Sequence, residues 1–177
     1  MIDRYCLEKM KSIWSEENKF RRWLEVELAA CEAWRQLGKI PDSSFKKIKK
    51  DANFSIKRIQ EIEKTVDHDV IAFLTNVAEH VGPDSRYIHM GMTSSDVVDT
   101  ALSLLMKESS QLIISDIKDL IRALRDKAKA YKHTPMIGRS HGIHAEPTTF
   151  GLKMAVFMQE MKSCLLYTSP SPRDRQK

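Results

Sequence analysis

No run in this sequence approaches the roughly 18 apolar residues that a helix needs to cross a bilayer, so no membrane partner is expected. Cysteine is sparse: Cys6, Cys31 and Cys164 are odd in number, far apart and without zinc spacing. That argues against a disulfide framework and a metal site, and points to free thiols in a reducing compartment, the cytoplasm by default. The start, Met1-Ile2-Asp3-Arg4-Tyr5, is polar and short of small residues, so no secretory signal is expected. Period-two alternation is missing as well. Strands are therefore not expected, and neither is a phosphate-binding glycine loop of the strand–loop–helix kind. Basic residues outnumber acidic ones, 29 against 24. The one dense run, Lys46, Lys47, Lys49 and Lys50, lacks interleaved aromatics, so it reads as a solvated helix face and no nucleic-acid partner is expected.

What is present is helical periodicity. Ser15 followed by Glu16 and Glu17 has the form of a helix start, with carboxylates in the electropositive first turn. Phe20, Leu24, Leu28, Cys31 and Trp34 then recur every three or four residues until Gly38 and Pro41 stop the helix. A shorter helix follows Pro41, and Ser55 opens another with Ile56, Ile59 and Ile62 on one side. Val70, Phe73, Leu74, Val77 and Val81 form a stripe ended by Gly82-Pro83. A polar segment leads into Ser95-Asp96 and a helix carrying Val98, Ala101, Leu102 and Leu105. A further stripe, Ile113, Ile117, Leu120, Leu124 and Tyr131, is closed by Pro135, and Thr148 or Thr149 caps a last helix striped by Phe150, Met154, Phe157 and Met161.

The fold class is therefore all-α. A composition shift at residues 108–111 divides it into an N-terminal domain of short helices, 1–110, and the start of a long-helix bundle, 111–163. Ser169-Pro170-Ser171-Pro172 cannot continue a helix. Residues 164–177 are expected to be a non-native tail, left by a reading frame lost near Ser163.

Three polar clusters sit at helix boundaries. In Asp67-His68-Asp69 a histidine flanked by carboxylates can be oriented and tuned, though Asp69 can equally be a helix cap and His68 a surface residue. His89-Met90-Gly91-Met92-Thr93-Ser94-Ser95-Asp96 offers hydroxyls and backbone N–H groups to an anion, with Asp96 partly offsetting the field; an ordinary hydroxyl cap would look the same. The third cluster lies in residues 136–151, a polar segment between two helices that holds Arg139, Ser140, His141, His144 and Glu146. Gly138 and Gly142 permit bends there, His141 between them can face a cavity, and no metal pair is implied.

Four stretches stand in one order and spacing: Arg4-Tyr5, His68-Asp69-Val70-Ile71-Ala72-Phe73, Gly91-Met92-Thr93-Ser94-Ser95-Asp96-Val97, and Gly138-Arg139-Ser140-His141-Gly142 through Glu146-Pro147-Thr148-Thr149-Phe150-Gly151. In these, residues 1–163 resemble the N-terminal portion of the fumarase/aspartase superfamily and, within it, the adenylosuccinate lyase family. The resemblance implies a fumarase/aspartase-type central bundle, a homotetramer at full length, and cofactor-free β-elimination of fumarate from a succinylated purine nucleotide. It makes His141 the general acid and gives Thr93 and Ser94 a succinyl carboxylate. Arg4 and Tyr5 reach the phosphate end, and Asp67, His68 and Asp69 line the nucleotide. Ser140, with Ser95 and His89 as further candidates, lies close to the ligand, His89 as a supporting or phosphate contact. Position 67 is commonly basic in the family and is an aspartate here. The family's proton-abstracting serine lies in a second half that these residues do not include, so this chain alone is expected to be inactive. The alternatives are another fumarate-forming lyase or cycloisomerase of the superfamily, or a non-catalytic helical interaction module.

Overall fold

The structure is a computed structural model that describes residues 2–168; the expected non-native tail lies outside the described residues from position 169 onward. After a short 3-10 turn (Asp3–Tyr5) come helices α1 (Glu8–Ile13), α2 (Glu16–Gln36), α3 (Asp42–Asp51), α4 (Ile56–Val66) and α5 (Asp69–Val81). A second 3-10 turn (Gly82–Tyr87) leads to α6 (Ser94–Ala130), strands β1 (Pro135–Ser140) and β2 (Ile143–Thr149), and α7 (Phe150–Thr168). The all-α class holds, with one departure. Residues 135–149, expected as an irregular loop, form an antiparallel hairpin. Alternation could not announce it, because five of the seven residues of β2 are exposed and no buried face imposes a period of two.

The chain divides into two compact units, residues 1–109 and 110–177. In the first, the core is aromatic: Phe20 stacks on Phe73 at 5.7 Å, and Trp23 meets the Phe73 ring edge-on at 5.5 Å. Ile48, Ile59, Val70, Val77, Val97 and Ala101 complete it. Trp23 lies off the stripe read from the sequence and is nonetheless buried, since α2 is covered on a wider face than one ridge. Ser15 caps α2 as expected, accepting from the Asn18 N–H at 3.2 Å. The two stripes at 98–105 and 113–124 lie on a single helix of 37 residues, α6, which ends one residue before Tyr131. Its buried residues are Val97, Ala101, Leu105 and Ser109, whereas Ile113 and Leu120 stay exposed.

In the second unit the hairpin returns to the end of α6. The Phe150 N–H donates to the Thr134 carbonyl at 2.9 Å and the Gly151 N–H to that of Tyr131 at 3.0 Å. Gly151 is required here, because a Cβ would lie 2.6 Å from the Ala128 carbonyl oxygen. Thr149 caps α7, its hydroxyl accepting from the Leu152 N–H at 3.1 Å.

Asn76 is buried in the first unit, its carbonyl accepting from the Ser55 N–H at 2.7 Å and its amide donating to Glu79 at 3.0 Å. Replacing it with the nearly isosteric leucine leaves that backbone N–H without an acceptor. Asn76→Leu is expected to lower unfolding stability by about 1–3 kcal/mol, read from urea denaturation.

Candidate functional site

The loop that leads into α6 is built on one face of α2. Glu27, Cys31 and Trp34 stand at i, i+4 and i+7 and so project together. Each grips the loop. The Trp34 indole N–H donates to the Met90 carbonyl at 2.8 Å, and the Cys31 thiol donates to that of Tyr87 at 3.6 Å. Glu27, 1% exposed, accepts from the His89 N–H at 2.9 Å and contacts His89 Nδ1 at 2.6 Å. Gly91 has φ +75°, and a Cβ there would sit 3.2 Å from the Trp34 ring. A residue larger than glycine would therefore be both strained and crowded.

Thr93, Ser94 and Ser95 follow at the start of α6. The Thr93 N–H donates to Asp96 Oδ2 at 2.8 Å, half of a reciprocal capping arrangement. That N–H is thus occupied, and Asp96 places negative charge inside the positive end of the helix, as the sequence implied. The three hydroxyls hydrogen-bond none of the described residues, which leaves them free to meet a ligand.

The cluster at Asp67-His68-Asp69 resolves differently from either simple reading. His68, not Asp69, is the N-cap of α5: its Nδ1 accepts from the Ile71 N–H at 3.4 Å. A ring accepting at Nδ1 carries its proton on Nε2, and the same Nδ1 lies 3.6 Å from Asp69 Oδ1. Asp69 lies in the first turn, accepting from the Val70 N–H at 2.7 Å. Asp67 closes α4 in the left-handed conformation with φ 50°. Arg4 and Tyr5 stand in the first 3-10 turn, the guanidinium 4.8 Å over the ring, with Tyr5 exposed.

In the second unit His141 and Gly142 form the hairpin turn, with φ 52° and 78° and Ser140 paired with Ile143. Two consecutive positive φ values define the tight turn whose twist suits a hairpin, and a glycine at its second position is the usual solution. His141 is exposed on this turn and Ser140 flanks it. Arg139 pairs with His144, and the register slips at Gly138, where a Cβ would lie 2.7 Å from the Glu146 carbonyl oxygen. A cavity of about 730 Å³ lies between β1 and α7, lined by Gly138, Arg139, Thr148, Leu152 and Phe157 among others. His141 does not line it, so the cavity expected before this histidine is not the one beside the hairpin.

Asp67, His89 and His141 are the non-glycine residues with positive φ among those described, and each belongs to a different cluster picked from sequence. Such conformations persist only where surrounding contacts impose them, and they gather at functional positions. Glu27 was not legible as a site residue, because an acid on a helix face carries no local signal of what it will meet. No helix among the described residues is long and apolar enough to cross a membrane, and no three of their His, Cys, Asp or Glu residues cluster as a metal site would.

A family model described as lyase matches residues 6–165. Over 162 residues the chain is 50% identical to the adenylosuccinate lyase of Bacillus subtilis (strain 168). It is 51% identical over the same length to that of Staphylococcus saprophyticus. Both alignments cover 92% of this chain, which spans 38% of the length of these curated relatives. Among solved structures, a fumarate lyase from Mesorhizobium sp. BNC1 superposes with a TM-score of 0.83 at 30% identity, over 88% of this chain and 38% of that one. A 3-carboxy-cis,cis-muconate lactonizing enzyme from Pseudomonas putida gives 0.81 at 26%, over 92% and 41%.

Two expectations follow from the local geometry. Burial, and after it the charge of Glu27, push the Cys31 thiol from an ordinary 9.0 up to about 11. The folded chain therefore holds this proton more tightly than the unfolded one. The stability it contributes is complete below about pH 9 and is lost as the pH rises toward 11. At pH below both values the folded thiolate fraction is smaller by on the order of a hundredfold. Iodoacetamide should accordingly modify Cys31 far more slowly in the native chain than in urea, as peptide mass mapping would reveal. At the hairpin, Gly142→Val places a β-branched residue at φ 78° and should destabilise by roughly 1–3 kcal/mol, seen as faster amide exchange through residues 135–149.

Proposed function

The chain belongs to the lyase family, and from that membership we propose that it carries part of an adenylosuccinate lyase. The reaction is cofactor-free β-elimination, splitting adenylosuccinate into AMP and fumarate and the succinyl-carboxamide imidazole ribotide into fumarate and its amide. The observation that carries this reading is 50% identity to a curated adenylosuccinate lyase over 92% of the chain. The lactonizing enzyme supports a cycloisomerase only at 26% identity, so that alternative ranks below it.

The substrate is anionic at both ends, carrying a phosphate and two carboxylates. Elimination removes a proton from Cβ, and the resulting aci-carboxylate needs stabilisation before the C–N bond breaks. The Thr93 and Ser94 hydroxyls at the tip of α6 bind a succinyl carboxylate, with Ser95 beside them. His141 gives its proton to the departing nitrogen, a task suited to imidazole near neutral pH. A tight turn supports that role, since it projects the ring into solvent with few backbone degrees of freedom. Ser140 lies beside the reacting end. His68 offers Nε2–H to the nucleotide between Asp67 and Asp69, while Arg4, Tyr5 and His89 serve the phosphate.

The base that takes the Cβ proton is supplied from outside residues 1–163, as is the remainder of a bundle whose stripe at Ile113 and Leu120 is exposed here. Full-length copies assemble as a homotetramer, in the cytoplasm. The 177-residue chain alone should then release no fumarate from adenylosuccinate; turnover by the purified chain would sink this division of labour. In a chain extended to the relatives' length, His141→Ala should lower kcat about 10²–10⁴-fold with a smaller change in KM. A non-catalytic helical module predicts no change.

A further inference from the structure

Glu27 is the only buried carboxylate among the described residues. We propose that it is a positioning residue: it holds the His89 imidazole with a proton on Nδ1, so that a second proton on Nε2 makes the ring a cationic donor toward an anionic ligand. The inference rests on reading this site as one for a phosphorylated dicarboxylic substrate.

A carboxylate withdrawn from water is tolerated only when its oxygens are occupied. Both are. Oε2 takes the His89 backbone N–H at 2.9 Å, and Oε1 meets Nδ1 at 2.6 Å. A carboxylate has acceptors only, so the ring nitrogen facing it must be the donor. The short distance is that of a charge-assisted bond. Backbone and ring of one residue are thus gripped by one side chain, at a residue whose φ of 64° is rarely held by anything but glycine. A purely structural role would need only the backbone contact, since Cys31 and Trp34 already anchor the loop at Tyr87 and Met90. The ring contact instead fixes a side chain that keeps 21% of its surface in solvent. His68 shows the opposite arrangement, accepting at Nδ1 from a backbone N–H.

Glu27→Gln tests this without changing size. The backbone N–H of residue 89 can only donate, so the amide oxygen must face it and the amide NH2 must face Nδ1. That forces Nδ1 to accept and moves the ring proton to Nε2. A protonated ring would set two donors against each other, so the variant loses the cationic form that an anion prefers.

Nitrogen-15 NMR of the 177-residue chain at about pH 8, above the usual imidazole range, reads the tautomer directly. The wild-type chain should carry the proton on Nδ1 and the variant on Nε2. Trp34→Phe, which loosens the same loop, should leave the tautomer alone. With AMP as the probe at about pH 6, where a free imidazole is largely charged, His89 Nε2 should shift in the wild type, and affinity should fall about tenfold or more in Glu27→Gln. A wild-type proton on Nε2 overturns the inference from that spectrum alone, whatever the variant's folding. An unchanged tautomer in the variant, or AMP that leaves His89 unperturbed, overturns it as well. If AMP binds at His89 but the extended chain does not cleave adenylosuccinate, the proposed reaction fails and the role of Glu27 stands.

Discussion

A buried carboxylate on α2 and the strained histidine above it set the geometry of the loop that leads into α6. The chain must leave the 3-10 turn at Tyr87, reverse, and start α6 within a few residues, passing through positive φ at His89 and Gly91. Left to itself such a segment would relax, since a non-glycine residue in this region loses on the order of 1–2 kcal/mol. It is held because three side chains of one helix ridge offer a carboxylate, a thiol and an indole N–H in register with the loop. The hydroxyls of Thr93, Ser94 and Ser95 inherit their position from that grip.

The hairpin solves a similar problem by other means. It has almost no core of its own, being exposed along most of β2. Its shape comes from backbone requirements: a left-handed pair at the turn, a glycine where the register slips, and a glycine where α7 crosses the end of α6. A histidine on such a turn is displayed without being buried.

Much of this was legible in the sequence, for identifiable reasons. The helices were, because Phe20, Phe73, Val77 and Ala101 recur at helical spacing and do form one core. The polar clusters were, because hydroxyls, histidines and glycines concentrated at helix ends are chemically conspicuous. The hairpin was not, since a strand pair without a buried face has no alternation to read. The division at residues 108–111 gave no hint that one helix runs through it, because helix continuity depends on backbone bonding that composition does not report. Glu27 was hidden most thoroughly. Its importance comes from a partner 62 positions away in the chain, and a lone glutamate on an amphipathic helix is ordinarily solvated.

The same reasoning bears on Asp67, where the family pattern would place a cation. The structure gives this residue a job that needs no ligand: with φ 50° it closes α4, its N–H bonded to the Glu63 carbonyl at 2.8 Å. Aspartate and asparagine tolerate the left-handed region better than most side chains, because their short polar arms can bond locally. An arginine there would have to be retained for its charge against that backbone preference. The carboxylate at 67 is therefore accounted for by the turn, its side chain lying exposed beside His68. Local backbone demand, not substrate charge, is the simpler origin of the departure.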